Sequence, residues 1–256
     1  MEVVKFDVRD SEIEKKLNET KDCTNIVYIE SASNPSAFIF DFGKIKEIKQ
    51  QGEYIFVVDN TWLTSVILNP LEYGADYVVT SLTKFYSAGT NIAGAIISTK
   101  KKMEIIHHSS QNMGIHVSPL VCQAIVEKIV SVKERITKLS NISKTLIPFL
   151  VELGFDVRHP FLSNHTSHSL SQKYFKDSLV PSIISFVVEL DLKSTLEWFK
   201  SFSFAFETSY GSPKSRFDTH PKELSSNSTL VRFAIGYHDS SENILNQFEK
   251  NTIKKK

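Results

Sequence analysis

Cysteine, net charge and long apolar runs are all scarce in this sequence, and each scarcity argues against a class of protein. The two cysteines of the 256 residues, Cys23 and Cys122, lie far apart and in no metal or redox spacing, which favours a reduced compartment. A formal net charge of +1 gives no electrostatic reason to expect nucleic acid or a membrane as a partner. The charged start, MEVVKFDVRD, is unlike a signal peptide, and no apolar run could cross a bilayer. We predict a cytoplasmic protein.

What is present is enough apolar sequence for a substantial core, since 41% of the residues are hydrophobic and 23% are charged. Short apolar runs alternate with helical spacing in the first hundred residues, which predicts a mainly parallel, doubly wound sheet. The expected strands are Val3–Val8, Ile26–Ile29, Ile55–Val58, Tyr77–Val79 and Ile92–Ile97, and the expected helices are Ser11–Leu17, Phe42–Gln51 and a short one in Asn69–Ala75.

The second half of the sequence predicts long helices and a smaller α+β unit. An apolar stripe from Pro119 to about Leu150 predicts one helix spanning two parts of the molecule, and Thr145–Gly154 predicts another. Strands are expected at Ser182–Leu190 and Leu230–Ile235, a helix at Leu192–Phe202, and a strand face at the alternating Phe202, Phe204 and Phe206. We divide the chain into residues 1–136, a large α/β domain, and residues 137–256, a C-terminal α+β domain.

Polar residues come directly after two of the predicted strands. Asp59 follows the run at 55–58, and Ser81, Thr83 and Lys84 follow the run at 77–79. Ligand-binding groups of α/β sheets cluster beyond the carboxyl ends of strands. One carboxylate, two hydroxyls and one amine in that place suit pyridoxal phosphate.

Each of the four side chains has a role in that chemistry and a plainer alternative. The Lys84 amine would form the Schiff base and then move protons, which requires a lowered pKa. Asp59 would keep the pyridine nitrogen protonated through a charge-assisted hydrogen bond of about 1.5–3 kcal/mol, and Ser81 and Thr83 would bind the phosphate. Alternatively, Lys84 is a surface lysine, Asp59 caps a turn and the two hydroxyls form turns. Before Pro35, Asn34 reads as a turn residue.

The histidines do not predict a metal site. His107 and His108 are adjacent and cannot face the same way on a helix, so we expect them on the surface. His159, His165 and His168 are spaced too loosely for a metal and read as polar loop residues. The run Lys100–Lys102 reads as a solvated turn.

The segment VVDNTWLTSVILNPLEYGADYVVTSLTKFYSAG resembles the core of the Cys/Met-metabolism pyridoxal-phosphate enzymes, the family of cystathionine γ-synthase and the cystathionine lyases. The resemblance implies that residues 1–136 are a partial pyridoxal-phosphate-binding large domain of fold type I, like that of aspartate aminotransferase and truncated at its amino terminus, followed by a smaller α+β domain. It identifies Lys84 as the Schiff-base lysine, Asp59 as the partner of the ring nitrogen, and Ser81 and Thr83 as phosphate ligands, with Thr61 touching the ring.

The resemblance extends to both sides of that core. ESASNP at 30–35 resembles the family's ESPSNP, which implies that Asn34 contacts the cofactor's phenolic oxygen. HPFLSNHTSHSLSQKYF resembles a structural histidine stretch. SYG at 209–211 and LVRFAIG at 230–236 resemble the family's SLGG loop and LVRLSVG strand, which implies that Ser209 and Arg232 bind the substrate α-carboxylate.

Three departures from the family pattern bear on function. The family's GHSD is Ala88–Asn91 here, a variant that resembles the γ-synthases of fungal type. Lys214 stands where the family has a glutamate. The family's amino-terminal segment, with a phosphate loop and a ring-stacking tyrosine, has no counterpart in the sequence.

The resemblance implies a trans-sulfuration enzyme of the cystathionine γ-synthase type, joining cysteine to an activated homoserine ester by γ-replacement. One alternative is an inactive paralogue, or half of a split enzyme that needs a partner chain; another is a cystathionine γ- or β-lyase. We expect pyridoxal 5′-phosphate as cofactor, small amino acids as substrates, no metal, and either a homo-oligomer or a chain supplying the absent segment.

Overall fold

Two β-sheets, one from each half of the chain, form the framework of the molecule. The computed structural model describes residues 3–7, 17, 24–220 and 227–252. The strands are β1 Asn25–Glu30, β2 Tyr54–Asp59, β3 Tyr77–Ser81, β4 Gly94–Ile97, β5 Asp156–Arg158, β6 Ile183–Val188, β7 Ala205–Phe206, β8 Arg216–Thr219 and β9 Thr229–Ala234. The helices are α1 Lys44–Lys49, α2 Thr64–Ile67, α3 Lys100–Asn112, α4 Pro119–Ile129, α5 Val132–Glu152, α6 His168–Tyr174, α7 Leu192–Phe199 and α8 Ser241–Lys250, with 3₁₀ turns at Pro70–Tyr73 and Lys176–Ser178.

The first sheet has the order β1-β2-β3-β4. Strands β1, β2 and β3 run parallel, as the alternation of strand and helix predicted, and β4 pairs antiparallel with β3. The carboxyl ends of β2 and β3 therefore meet at one edge of the sheet. That edge carries the polar residues around Asp59 and Ser81.

The two faces of this sheet differ in burial. One face packs into the core through residues such as Val27, Phe56 and Val58. The opposite face, which we call the open face, is partly exposed: Ile26 is 65% and Tyr28 56% accessible. The open face consists of Ile26, Tyr28, Glu30, Ile55, Val57, Asp59, Tyr77, Val79 and Ser81, aligned by the strand register. Asp59, which the sequence predicts to bind the cofactor, thus lies on the open face of the first sheet.

The single long helix expected from Pro119 is two helices, α4 and α5. Ser131 between them leaves helical geometry, with φ −100° and ψ 7°. Its hydroxyl donates to the carbonyl oxygen of Lys128 at 3.2 Å, a local bond by which serine competes with the helix. Helix α4 buries only Ile125, whereas α5 buries eight residues and absorbs the separate helix expected at Thr145.

The second sheet has the order β5-β6-β9-β8-β7. Its central strands β6 and β9 are buried at every position, as the apolar runs there predicted. Phe202, Phe204 and Phe206 do not form one strand face, which corrects the expectation from their alternation. The chain turns before Ala205, so Phe202 is buried and Phe206 is 54% exposed.

Several smaller expectations change or lie outside the described residues. Lys100–Lys102 begin α3 instead of forming a turn, and Lys102 pairs with Asp76. Residues 3–7 form no regular strand, and the helix expected over 11–17 falls mostly outside the described residues. One core cluster contains side chains from both sheets. The domain boundary at 136/137 falls within α5 and stays a prediction. Over the described ranges, no helix has the length and apolarity to span a bilayer.

Candidate functional site

Asp59 ends β2 and is held from two sides. Its Oδ1 accepts a hydrogen bond from the backbone N–H of Thr61 at 2.9 Å, and its Oδ2 accepts one from the Tyr28 hydroxyl at 3.2 Å. Burial and the Asp59 charge raise the pKa of Tyr28 to about 12, so this phenol keeps the proton that it donates. Glu30 is the register partner of Asp59 on β1, and burial raises its pKa. The carboxylate is therefore fixed at the end of the open face.

Thr61 connects Asp59 to the end of the next strand. Its hydroxyl accepts a hydrogen bond from the backbone N–H of Ser81 at 2.8 Å. The Thr83 hydroxyl bonds across the loop between β3 and β4. It donates to the carbonyl oxygen of Ala93 at 3.3 Å and accepts from the N–H of that residue at 3.1 Å. These bonds set the direction of the chain into Lys84.

The Lys84 amine contacts a loop from the second half of the chain. Its Nζ donates to the Ser209 hydroxyl at 3.1 Å and lies 5.1 Å from the centre of the Tyr210 ring. Burial lowers the pKa of Lys84, and the charges of Arg232 and Arg216 lower it further. A larger fraction of the amine is then unprotonated near neutral pH, which is the form that a nucleophile or base requires.

The loop that carries Ser209 and Tyr210 packs directly on the lysine backbone. Gly211 has φ +78°, and a Cβ built there would lie 2.6 Å from the carbonyl carbon of Lys84 and 2.7 Å from the nitrogen of Phe85. Only glycine allows two backbones to approach this closely. The approach places the 209–211 loop beside the amine.

Arg232 on β9 forms the far side of the site. Its side chain is 3% exposed, its Nη1 donates to Asn34 Oδ1 at 2.9 Å, and its Nη2 pairs with Asp218 Oδ2 at 2.6 Å. The guanidinium carbon lies 5.8 Å from the centre of the Tyr210 ring. Burial raises the pKa of Tyr210, as does the charge of Asp59. Tyr210 thus stands between the Asp59 side and the Arg232 side.

The structure brings most of the predicted residues into three hydrogen-bonded groups. These are Asp59 with Thr61 and Ser81, Lys84 with Ser209, and Asn34 with Arg232. Tyr210, Tyr28 and Asp218 also belong to the site and were not predicted. Their signal was weak: Tyr28 stands inside a predicted strand and Tyr210 inside a loop motif without a role of its own, and Asp218 opposes Arg232 only through the strand register. The individual roles of the site residues stay predictions.

The histidines serve the backbone. His159 is fully buried, accepts from the N–H of Phe161 at 3.1 Å and shares a 3.2 Å hydrogen bond with the carbonyl oxygen of Pro181. His165 bonds the carbonyl oxygen of Ser36, and His168 that of Pro160. His107 and His108 are exposed on α3. Within the part of the chain that the structure describes, no group of three or more His, Cys, Asp or Glu side chains could hold a metal ion.

The donor set fits pyridoxal phosphate. A partly buried amine with a lowered pKa suits the aldehyde, a strand-end carboxylate suits the ring nitrogen, and the Ser81 hydroxyl at the end of β3 suits the phosphate, whereas the Thr83 hydroxyl would have to leave Ala93 to reach it. The Nε of Arg232 is buried and has no hydrogen-bond partner among the described residues. That open donor is consistent with a site that receives a further acceptor.

A sequence model of the Cys/Met metabolism PLP-dependent enzymes matches residues 1–250. Methionine γ-lyase of Arabidopsis thaliana is 28% identical over 249 residues, which cover 89% of this chain and 56% of that protein. Cystathionine γ-lyase of Saccharomyces cerevisiae is 27% identical over 244 residues, which cover 87% of this chain and 62% of that protein. The chain thus spans less than two thirds of the length of these relatives.

A solved structure shows the same fold. Cystathionine γ-synthase from Xanthomonas oryzae pv. oryzae, in complex with aminoacrylate and cysteine, superposes with a TM-score of 0.87 at 21% identity. The superposition covers 96% of this chain and 67% of that one. The predicted fold class is confirmed.

Proposed function

Because the chain belongs to the Cys/Met metabolism PLP-dependent enzyme family, we propose that it is a trans-sulfuration enzyme of the cystathionine γ-synthase type. It would join cysteine to an activated homoserine ester by γ-replacement. The observation that supports this most is the Lys84 amine, which has a lowered pKa and lies beside Ser209 and Tyr210. A base in this position can act on a substrate whose carboxylate is held by Arg232.

The residues of this chain divide the work of holding the cofactor. Lys84 would bind its aldehyde, Asp59 its ring nitrogen and Asn34 its phenolic oxygen. Ser81 and Thr83 would bind its phosphate, with Thr61 against the ring. When bound, pyridoxal phosphate supplies an aldehyde that condenses with amines and a protonated ring that withdraws electrons from the attached amino acid.

Lys84 is placed to move protons during the reaction. Once released from the cofactor, its amine can take a proton from the substrate Cα and move protons at Cβ, while the ester group leaves Cγ and the cysteine sulfur takes its place there. The lowered pKa keeps the amine in the form that accepts a proton. The hydroxyl of Ser209, at 3.1 Å, holds the amine in position between transfers.

The lyase reactions use the same side chains and differ in the step after elimination. A synthase adds the cysteine thiol, whereas a lyase releases the eliminated fragment. The relatives named above are lyases. Ala88–Asn91 supports the synthase, because this segment resembles the γ-synthases of fungal type.

The test is to load the purified chain with pyridoxal phosphate and supply cysteine with O-acetyl-, O-succinyl- or O-phospho-L-homoserine. We expect a visible cofactor absorbance and cysteine-dependent formation of cystathionine. Lys84→Ala should lose both, while Lys101→Ala, on the exposed side of α3, should retain both. Cleavage of cystathionine without its synthesis would replace the synthase with a lyase.

The open face favours a second candidate function, in which the chain is one part of a two-chain enzyme. Ile26 and Tyr28, exposed on that face, lie on the same side of the sheet as Asp59. A partner chain that covers this face would also enclose the cofactor. Full turnover by the chain alone would contradict this candidate, whereas turnover only after addition of a partner would support it. We further propose that the chain forms a homo-oligomer and is located in the cytoplasm.

A further inference from the structure

The guanidinium of Arg232 is almost completely buried, and its surroundings neutralise it. The side chain is 3% exposed, and its closest charged neighbour is Asp218, with Nη2 and Oδ2 2.6 Å apart. A charge taken out of water to this extent is strongly unfavourable unless it is paired and hydrogen-bonded. Asp218 provides the pairing and Asn34 the second hydrogen bond, at 2.9 Å.

The sheet holds Asp218 in this position. Asp218 on β8 is the direct register partner of Arg232 on β9, so both side chains project from the same face at neighbouring strands. The imidazole Nε2 of His220 lies 3.7 Å from the same Oδ2. The carboxylate is therefore part of a regular ladder and is present whether or not a substrate is bound.

Arg232 is also the residue that would bind a substrate carboxylate. A guanidinium binds a carboxylate best through two parallel N–H···O bonds. Here Nη1 already donates to Asn34 and Nη2 to Asp218, and only Nε lacks a partner among the described side chains. An arriving carboxylate meets an arginine whose charge is compensated and one of whose two terminal nitrogens is already ion-paired.

We propose that Asp218 is a specificity-determining residue, an internal carboxylate that competes with the substrate carboxylate for Arg232. The identification of the substrate as an amino acid rests on the proposed function, whereas the competition rests on the ion pair. A ligand whose carboxylate binds the Arg232 guanidinium more strongly than Asp218 does can displace Asp218, and a ligand whose carboxylate binds it more weakly cannot. Asp218 thereby raises the affinity for Arg232 that a ligand carboxylate needs in order to bind.

The Asp218→Asn substitution distinguishes competition with the substrate carboxylate from mere positioning of Arg232. Asparagine keeps an acceptor for Nη2 and removes the charge. Competition predicts that this variant binds carboxylates about tenfold more tightly, because the carboxylate that competes for the arginine is gone. If Asp218 only positions Arg232, the affinity of Asp218→Asn should be unchanged and that of Asp218→Ala should be weaker.

The first experiment is a propionate titration of the cofactor-free chain, monitored by NMR on the Nε–H signal of Arg232 assigned with Arg232→Lys. We expect a lower dissociation constant for Asp218→Asn than for the wild type. Glu207→Gln is the matched control, because Glu207 pairs with Arg216 at 2.8 Å, and it should behave as the wild type. Circular dichroism checks the fold of each variant, and Asp218→Ser replaces Asp218→Asn if that variant does not fold. Equal affinities, or no binding to either protein, would overturn the proposal.

The second experiment uses the chain loaded with pyridoxal phosphate and compares L-alanine with ethylamine, which lacks only the carboxylate. The cofactor absorbance reports the binding of both. Asp218→Asn should strengthen the binding of alanine and leave that of ethylamine unchanged. If the loaded chain responds to ethylamine but Asp218→Asn leaves the binding of alanine unchanged, the proposed role of Asp218 is contradicted and the proposed function is not. A chain that never takes up the cofactor contradicts the proposed function and leaves the propionate result standing.

Discussion

Gly211 shows at the scale of one residue how the site depends on a missing side chain. Its φ of +78° is in the left-handed region, and any Cβ would meet the backbone of Lys84. The two loops that carry the amine and the Ser209 hydroxyl can therefore touch only through glycine.

We predict that Gly211→Ala lowers the free energy of unfolding by about 2–4 kcal/mol, the sum of left-handed strain and a backbone clash. Gly114→Ala is the matched control, because Gly114 has φ +68° with nothing within 4 Å of a built Cβ. It should cost about 1–2 kcal/mol from the backbone conformation alone. Urea denaturation measures both, and equal losses would show that the close approach to Lys84 is unimportant.

The buried ring of His159 leads us to predict a loss of stability in acid. Burial lowers the pKa of His159 to about 3 from an ordinary 6.5, so the folded state favours the neutral ring. Its contribution to stability is complete above pH 6.5 and is lost as the pH falls toward 3. Between pH 6.5 and 5 the loss should reach about 2 kcal/mol from this residue. His159→Gln should show a smaller drop than the wild type in urea denaturation over that interval. Parallel pH profiles would contradict the assignment.

Asp76 links one strand of the first sheet to two helices. It accepts from Lys49 on α1 at 2.8 Å, from Lys102 on α3, and from the backbone N–H of Phe56 on β2 at 2.8 Å. Burial acts to raise the pKa of Asp76, and the hydrogen bonds from the two lysines lower it below its ordinary value. The contribution of the Asp76 carboxylate is therefore present above pH 3.8 and lost as the pH falls below that value.

Asp76→Ala should cost about 2–3 kcal/mol, because a buried backbone N–H and two lysines lose their acceptor. Glu197→Ala, in the exposed pair with Lys200, should cost less than about 0.5 kcal/mol. Thermal unfolding of both variants beside the wild type compares the two. A loss for Asp76→Ala as small as that of the control would show that the three elements hold without it.

The elements that could be predicted from the sequence are those whose pattern is local. Apolar runs such as Ile55–Val58 gave strands, and the short helix expected in Asn69–Ala75 is the 3₁₀ turn Pro70–Tyr73, which ends at Gly74 with φ +100°. The break at Ser131 was missed because apolar residues continue on both sides and one hydroxyl decides the geometry. Lys102 was read as solvated because its partner, Asp76, lies on another element.

The candidate site obeyed the same rule. Lys84 and Asp59 stand in a contiguous segment that resembles a known family, so the sequence alone located them. Tyr210 and Asp218 act through contacts across the fold, with Lys84 and with Arg232. No local pattern marks such partners, because register and tertiary packing bring them together.

At the scale of the whole molecule, exposed apolar side chains concentrate from the loop just before β4 to the residue just after α4. They include Ile92 at 89%, Ile105 at 71%, Leu120 at 77%, Val126 at 63% and Val130 at 83%. Apolar side chains exposed in such number are typical of an interaction surface. It agrees with the proposal that the chain forms a homo-oligomer.

We predict that the chain self-associates and that the double substitution Leu120→Lys with Val130→Lys shifts it toward the monomer, because two charges would have to be desolvated in the contact. Leu192→Lys is the control, since Leu192 is 39% exposed on α7, in another part of the chain. Sedimentation velocity at several concentrations gives the distribution of species. An unchanged distribution in the double variant would place the contact elsewhere.

The contact between Gly211 and Lys84 has a consequence for ligand binding as a whole. No side chain separates the two backbones, so a shift of the lysine turn toward the 209–211 loop displaces that loop. The same loop carries Tyr210, whose ring lies near both the lysine amine and Arg232. Occupation of the lysine and occupation of the arginine are then linked equilibria, and each ligand changes the affinity for the other by the same factor.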